Sequence, residues 1–125
     1  MTLSLDTHAL LWWLEDPQFL SKAARKAIGD GKNTVYVSAA VVWEIAIKRA
    51  LGKLDAPDDL EAAMAANRFL PLPVTIPHAL AVLKLPDRHR DPFDRLLIAQ
   101  AGHEGFRLVG RDPHVARYGV PHIVA

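Results

Sequence analysis

An α/β fold with a mostly parallel central sheet is what this sequence predicts, on three observations. Short apolar runs of strand character alternate with longer stretches of helical character. The helical stretches are punctuated by turn chemistry, opening on Ser, Thr or Asp and closing on Gly or Pro. The 125 residues, half of them hydrophobic and 23% charged, suit one soluble domain, 1–125, with a core of its own.

The elements follow in order. Thr2–Leu5 is short, largely apolar and strand-like, and ends at Asp6. Ala9–Leu14 forms a buried helix that the Glu-Asp-Pro at 15–17 stops. Ser21 caps a helix over Lys22–Ile28, closed by Gly29 and Gly31. Thr34–Val37 is a β-branched and aromatic strand. Ser38 then caps a helix through Ala50–Leu51, with Gly52 just past its end. Pro57, Asp58 and Asp59 suit the first turn of a helix reaching about Asn67. Phe69–Val74 is extended, and its two prolines place it at a sheet edge. Thr75 caps a helix over Ile76–Lys84, and Leu85–Arg90 is a loop. Asp91-Pro92 opens a strong helix to about Glu104, ended by Gly105. Arg107–Val109 is a strand, Asp112-Pro113 starts a short helical turn, and His122–Val124 is the last strand.

Composition closes off several classes of function. There is no cysteine, which excludes disulfides, thiolate zinc sites and thiolate catalysis. No apolar run approaches the roughly 18 residues of a membrane span, and the N-terminus has no basic region before its apolar stretch. A cytoplasmic location with no membrane partner is the expectation. The formal charge of +1 is neutral on nucleic acid. The positions of the charges therefore carry the argument.

In parallel sheets, ligands bind beyond the carboxyl ends of the strands. Asp6 directly follows the first strand, Glu44 lies in the helix after the second, Asp91 and Asp94 open the helix before the next strong strand, and Asp112 follows that strand. Glu44 is the most informative. Of its helical neighbours Ala40, Val41, Ile47 and Lys48, three are apolar. A carboxylate there needs a cation, either a metal or the i,i+4 partner Lys48. Asp6, Asp91 and Asp112 each also read as helix caps, but capping does not explain why so many acids fall at strand ends and helix starts. Carboxylates about 4 Å apart repel by roughly 4 kcal/mol at an effective dielectric of 20. A divalent cation removes that cost, and carboxylates without a His/Cys cluster favour magnesium or manganese over zinc.

Four blocks of sequence resemble the PIN-domain ribonucleases of the VapC toxin type. They are Leu5-Asp6-Thr7-His8-Ala9-Leu10-Leu11; Ser38 to Lys48, with Trp43-Glu44-Ile45 at its centre, followed by Gly52-Lys53-Leu54; His89 to Ala101, containing Asp91-Pro92-Phe93-Asp94-Arg95; and Leu108-Val109-Gly110-Arg111-Asp112. The resemblance covers nearly the whole chain. It implies a PIN-like α/β/α sandwich and a magnesium-dependent endoribonuclease, with manganese as a substitute. Its acids would be Asp6, Glu44, Asp94 and Asp112, with Asp6, Asp94 and Asp112 at the metal. Asp91, His8, Lys48 and Arg95 would be accessory. Glu44 would position or deprotonate the attacking water, leaving a 5′-phosphate and a 3′-hydroxyl. It further implies a cognate VapB-like, DNA-binding antitoxin and a homodimer, for which apolar surface on the first two helices is the expected contact. One position departs from the family, which often carries Thr or Ser where this chain has Gly110.

Other residues carry less. Lys48, Arg49 and Lys53, then Arg88, His89, Arg90 and Arg95, then Arg111, flank the acids and suit a phosphate-bearing partner, but they suit a solvated face equally. The six histidines have no zinc spacing, and His103, His114 and His122 read as surface or packing residues. Trp12, Trp13 and Trp43 read as core or interface. The alternative function is a PIN-like binding module with little or no nuclease activity. A receiver or haloacid-dehalogenase-like phosphatase would need acids beside Asp6 that Thr7 and His8 do not supply.

Overall fold

The computed structural model describes residues 1–86 and 91–125. Arg88, His89 and Arg90, named above among the basic residues, lie outside the described residues. Five strands form one sheet: β1 (Thr2–Leu5), β2 (Thr34–Ser38), β3 (Leu70–Leu72), β4 (Arg107–Gly110) and β5 (His122–Val124). Their order across the sheet is β3-β2-β1-β4-β5, and every pairing is parallel. Six α-helices connect them: α1 (Thr7–Glu15), α2 (Lys22–Gly29), α3 (Ala39–Ala50), α4 (Leu60–Ala66), α5 (Ile76–Ala81) and α6 (Pro92–Glu104). The expected mostly parallel sheet is thus a wholly parallel one.

Burial explains the layering. In β1, Leu3, Ser4 and Leu5 are all inaccessible or nearly so. Successive strand residues point to opposite faces, so consecutive burial means that both faces are covered. Leu108 and Val109 of β4 repeat the pattern. The core gathers Leu10, Ala24, Ile28, Val37, Val41, Ile45, Leu97 and Ile98 from the helices and strands around these two central strands.

The boundaries differ from expectation where capping decides them. The first helix begins at Thr7 rather than Ala9, because Asp6 Oδ1 accepts the Ala9 N–H at 2.8 Å. The helix expected from Pro57 begins only at Leu60, where Asp59 caps it by accepting from the Ala62 N–H. The Pro57 carbonyl instead accepts from Arg49. The extended segment at 69–74 pairs only over Leu70–Leu72, and β3 is an edge strand as its prolines require. The helix after Thr75 ends at Ala81 and continues as a tight turn over Val82–Lys84. Gly105 ends α6 with φ 73°, a left-handed conformation that glycine adopts without strain.

Exposed apolar surface is not where it was expected. Trp12 and Trp13 of the first helix are partly buried and pack on the core, and the Trp13 indole donates to Asn67 Oδ1 at 3.0 Å. The large exposed apolar side chains include instead Phe19 between α1 and α2, Trp43 of α3 and Leu51 just past its end, and Ile76, Leu80 and Leu83 along 76–83. Trp43 is 62% exposed, resting edge-on against Phe93, so it is not a core residue. No helix among the described residues is long and apolar enough to cross a membrane.

Candidate metal-dependent nuclease site

The strand order places a topological switch between β1 and β4: the chain runs outward from β1 through β2 to β3, then returns to the other side of β1. A crevice opens at such a point, beyond the carboxyl ends of the two strands. Asp6 is the first residue after β1, and its N–H donates to the Val109 carbonyl of β4 at 2.9 Å. Asp112 lies two residues past β4. The same edge receives the start of α6, which precedes β4 by only Gly105 and Phe106 and so runs antiparallel to it.

A cavity of about 430 Å³ occupies this crevice, lined by Asp6, Glu44, Asp91, Asp94 and Asp112, together with His8, Lys48 and Arg111. Every acid singled out in the sequence therefore faces one space. Arg95, the remaining accessory candidate, does not line it: its guanidinium donates to the carbonyls of Pro86 and Val82. Arg49 is likewise turned away, paired with Asp58. Among the described basic residues flanking the acids, only Lys48 and Arg111 reach the cleft.

The caps and the cleft use the same carboxylates. Asp6, Asp91 and Asp112 each accept a backbone N–H through Oδ1, from Ala9, Phe93 and His114 respectively, each at 2.8 Å. Capping thus fixes the rotamer and leaves the group's charge at the cleft. Asp94 stands in the first turn of α6, where the positive end of the helix dipole favours an anion. Asp6 Oδ2 accepts a second backbone N–H, from Arg111, at 2.8 Å. Even so, burial raises the Asp6 pKa, and the Ala9 and Arg111 amides offset that only in part.

Glu44 is buried, and its helical pairing with Lys48 is present: Lys48 Nζ donates to Oε2 at 2.6 Å. Thr7, a residue that sequence reasoning passed over, donates its hydroxyl to Oε1. This hydrogen bond to Glu44 raises the Lys48 pKa, reinforced by the charges of Asp91 and Asp94. Lys48 is thus a cation set among acids. His8 is held mainly neutral, its pKa lowered first by burial and then by Arg111, whose Nη1 lies 3.2 Å from His8 Nε2.

Among the described residues that line this space, five are carboxylates and two, Lys48 and Arg111, are obligate cations. Such an excess of negative charge around a partly buried Asp6 is what a hard divalent cation offsets, and all the acids supply the oxygen ligands it prefers. The donor set fits such an ion. Another grouping with metal-capable atoms exists, His78, His103 and Glu104, at the far end of α6. It does not fit one. The Thr75 N–H donates to His78 Nδ1 at 3.1 Å, so the imidazole hydrogen sits on Nε2 and donates to Glu104 Oε1 at 2.7 Å. Neither ring nitrogen of His78 keeps a lone pair for a metal.

The comparisons with known proteins agree with this architecture. The PIN-domain family pattern matches residues 3–121. The sequence is 31% identical over 126 residues to ribonuclease VapC22 of Mycobacterium tuberculosis, spanning 98% of this chain and 96% of that protein. Among solved structures, VapBC2 of Rickettsia felis bound to a DNA fragment from its promoter superposes with a TM-score of 0.74 at 14% identity. That match covers 99% of this chain and 98% of the other. FitAcB of Neisseria gonorrhoeae superposes with a TM-score of 0.65 at 19% identity, over 98% and 96% of the two chains. With the family pattern matched end to end and the acids of the four sequence blocks gathered at one switch point, the chain belongs to the PIN-domain family.

Proposed function

We propose that this chain, acting as one PIN-like domain over 1–125, is a metal-dependent endoribonuclease and the toxin half of a VapBC-type pair. The observation that carries the reading is the convergence of Asp6, Glu44, Asp91, Asp94 and Asp112 on one cleft at the β1–β4 switch point. The similarity to ribonuclease VapC22 supplies the chemistry.

Asp6, Asp94 and Asp112 would hold magnesium, or manganese in its place. Such an ion makes its bound water more acidic and offsets charge on phosphate oxygens. The rest falls to the chain. Glu44, held by Thr7 and Lys48, accepts a proton from the attacking water. Lys48 and Arg111 draw the phosphodiester toward the acids. Asp91 adds negative charge at the rim, and His8, held neutral, leaves the cleft charge unchanged near pH 7. Hydrolysis by water leaves a 5′-phosphate and a 3′-hydroxyl.

The partners follow from the same reading: RNA as substrate, a VapB-like DNA-binding antitoxin, and a second copy of the chain. Solved relatives of this fold are VapBC assemblies on DNA, and the exposed Trp43, Leu51, Ile76, Leu80 and Leu83 supply apolar contact surface.

The test is RNA cleavage by the antitoxin-free chain with magnesium, with manganese and with chelator, beside Asp94→Asn. Metal-dependent cutting that vanishes in the variant supports the reading. Products ending in a 2′,3′-cyclic phosphate contradict the water mechanism. A chain that neither cuts folded RNAs nor binds either metal is a binding module instead.

A further inference from the structure

The two obligate cations among the described cleft residues are held in different ways. Lys48 Nζ lies 2.6 Å from Glu44 Oε2, so a carboxylate offsets its charge. Arg111 is tethered without that loss. Its backbone N–H donates to Asp6 Oδ2 at 2.8 Å, and its Nη1 lies 3.2 Å from His8 Nε2. A guanidinium only donates, so His8 Nε2 is the acceptor, the imidazole hydrogen sits on Nδ1, and the ring is uncharged in this contact. Asp6 and His8 stand two residues apart at the start of α1, so main chain and side chain of Arg111 are anchored to one helical turn. The His8 ring is itself braced. It stands edge-on to Trp12, one turn along α1, with centroids 5.7 Å apart, and Trp12 packs on the core. The choice of partner matters because Asp6, Glu44 and Asp112 line the same cleft. An arginine bonded to a carboxylate, as Arg49 is to Asp58, has its charge offset within the protein. A neutral acceptor holds the guanidinium without offsetting it.

We propose that His8 is a positioning residue for RNA: its Nε2 accepts from the Arg111 guanidinium and holds that cation at the acidic cleft for a phosphate of the RNA backbone. The inference rests on the metal-nuclease reading, which supplies the RNA. It adds how a cleft lined by five carboxylates keeps a cation available to a polyanion. A tethered side chain also loses less rotamer freedom when the phosphate arrives, so the gain is in binding. His8 acts through Arg111 and touches no reacting atom.

The experiment is steady-state cleavage of one fluorogenic RNA under saturating magnesium by the wild type, His8→Ala, His8→Gln, Arg111→Ala and the His8→Ala, Arg111→Ala double variant. Thermal unfolding of each chain and nitrogen NMR of the histidines at about pH 8 accompany it. Arg111→Ala keeps its backbone N–H for Asp6 and loses only the guanidinium. Expected is a KM about fivefold higher in His8→Ala, with kcat within about twofold, the pattern of lost uniform binding. His8→Gln, whose side-chain carbonyl accepts at similar reach, recovers most of the loss. The double variant matches Arg111→Ala, since His8 then has nothing to hold. In the spectra His8 Nε2 carries no hydrogen, and its resonance moves in Arg111→Ala. Equal losses from His8→Ala with and without Arg111 overturn the inference and give His8 a contact of its own. So does a wild-type KM in a folded His8→Ala, or a His8→Gln no better than alanine. If His8→Ala fails to fold, the spectra decide: a hydrogen on Nε2, or a resonance that Arg111→Ala leaves in place, overturns the inference. A wild type that cuts RNA while His8→Ala matches it overturns this inference alone, whereas a wild type that neither cuts RNA nor binds magnesium or manganese overturns the metal-nuclease reading with it.

Discussion

The two ends of α6 carry similar side chains and do opposite things with them. The helix spans 13 residues, about 20 Å at 1.5 Å per residue. Its N-terminus presents Asp91 and Asp94 to the cleft, and its C-terminus presents His103 and Glu104 to His78. At the C-terminus the polar groups satisfy one another except for Gln100 Oε1, which is buried without a hydrogen-bond partner among the described residues. His78, 1% exposed, accepts from the Thr75 N–H and from Gln100 Nε2, and donates to Glu104. At the N-terminus the carboxylates share one cleft with other carboxylates, and Lys48 and Arg111 are among the cations that face them there. A closed network of that kind holds elements together, here α5 against α6. An acidic cluster left with surplus charge stores unfavourable energy until a cation arrives, which is what makes it a candidate site. Proximity of metal-capable atoms does not separate the two ends; the direction of the hydrogen bonds does.

The largest expected effect breaks the symmetry in activity. Asp94→Asn at one end should lower kcat for RNA cleavage about 100-fold or more, as losing a charge aimed at the reacting centre does. Glu104→Gln at the other should stay within about twofold. Steady-state cleavage of one fluorogenic RNA under saturating magnesium compares them directly, and comparable losses at both ends would sink the distinction. Stability should show the reverse. His78→Ala removes a buried side chain that bonds Thr75, Gln100 and Glu104 and should cost about 2–4 kcal/mol in urea unfolding. Asp94→Asn, a near-isosteric change in the first turn of α6, should cost under about 1 kcal/mol in the metal-free chain. A third comparison is the metal itself. Manganese should bind the wild type and a His78→Gln variant alike, whereas an Asp6→Asn, Asp94→Asn double variant should lose most of its affinity in a calorimetric titration.

The sequence made the cleft end of α6 legible and left the other end hidden, for physical reasons. Asp91-Pro92 and Gly105 mark both boundaries of the helix by local chemistry. The structure supplies the step that local patterns leave open: α6, joined to β4 by two residues, runs antiparallel to it, which puts Asp94 at the carboxyl edge with Asp6 and Asp112. Glu44 stood out because apolar neighbours implied burial. Thr7 and His122 could not be found this way. Thr7 meets Glu44 across 37 residues of chain, and His122 comes beside Gly110 only because β5 adds to the far side of β4. Such meetings depend on strand order, which local patterns do not encode. The same limit misplaced Arg95 and the exposed apolar face. Arg95 is next to Asp94 in sequence but one position further round the helix, which turns it toward the carbonyls of Val82 and Pro86. The apolar side chains of α1 and α2 pack on the core, and α2 turns Lys22, Arg25 and Lys26 to solvent, whereas α3 and 76–83 keep apolar side chains in solvent.

The smallest effect concerns protons. Burial raises the Asp6 pKa above its ordinary value of 3.8. A carboxyl whose folded pKa exceeds its unfolded one holds its proton more tightly when folded. Its stabilising contribution is complete below pH 3.8 and is lost as the pH rises through the raised value. Ionising Asp6 therefore destabilises the metal-free chain, and a bound cation relieves that cost. The gain in Tm from saturating manganese should be greatest near neutrality and should shrink as the pH falls toward about 5, where protons compete for the same oxygens. His8 and His122 work in the opposite sense: burial lowers both pKa values below 6.5, so their neutral forms favour folding at higher pH and that contribution is lost on acidification. The manganese-induced increment isolates Asp6 from them, since both histidines act in the metal-free and the metal-bound scans. Calorimetric scans at several pH values, with and without manganese, read the increment. One that stays flat across the range would mean that Asp6 takes no part in holding the ion.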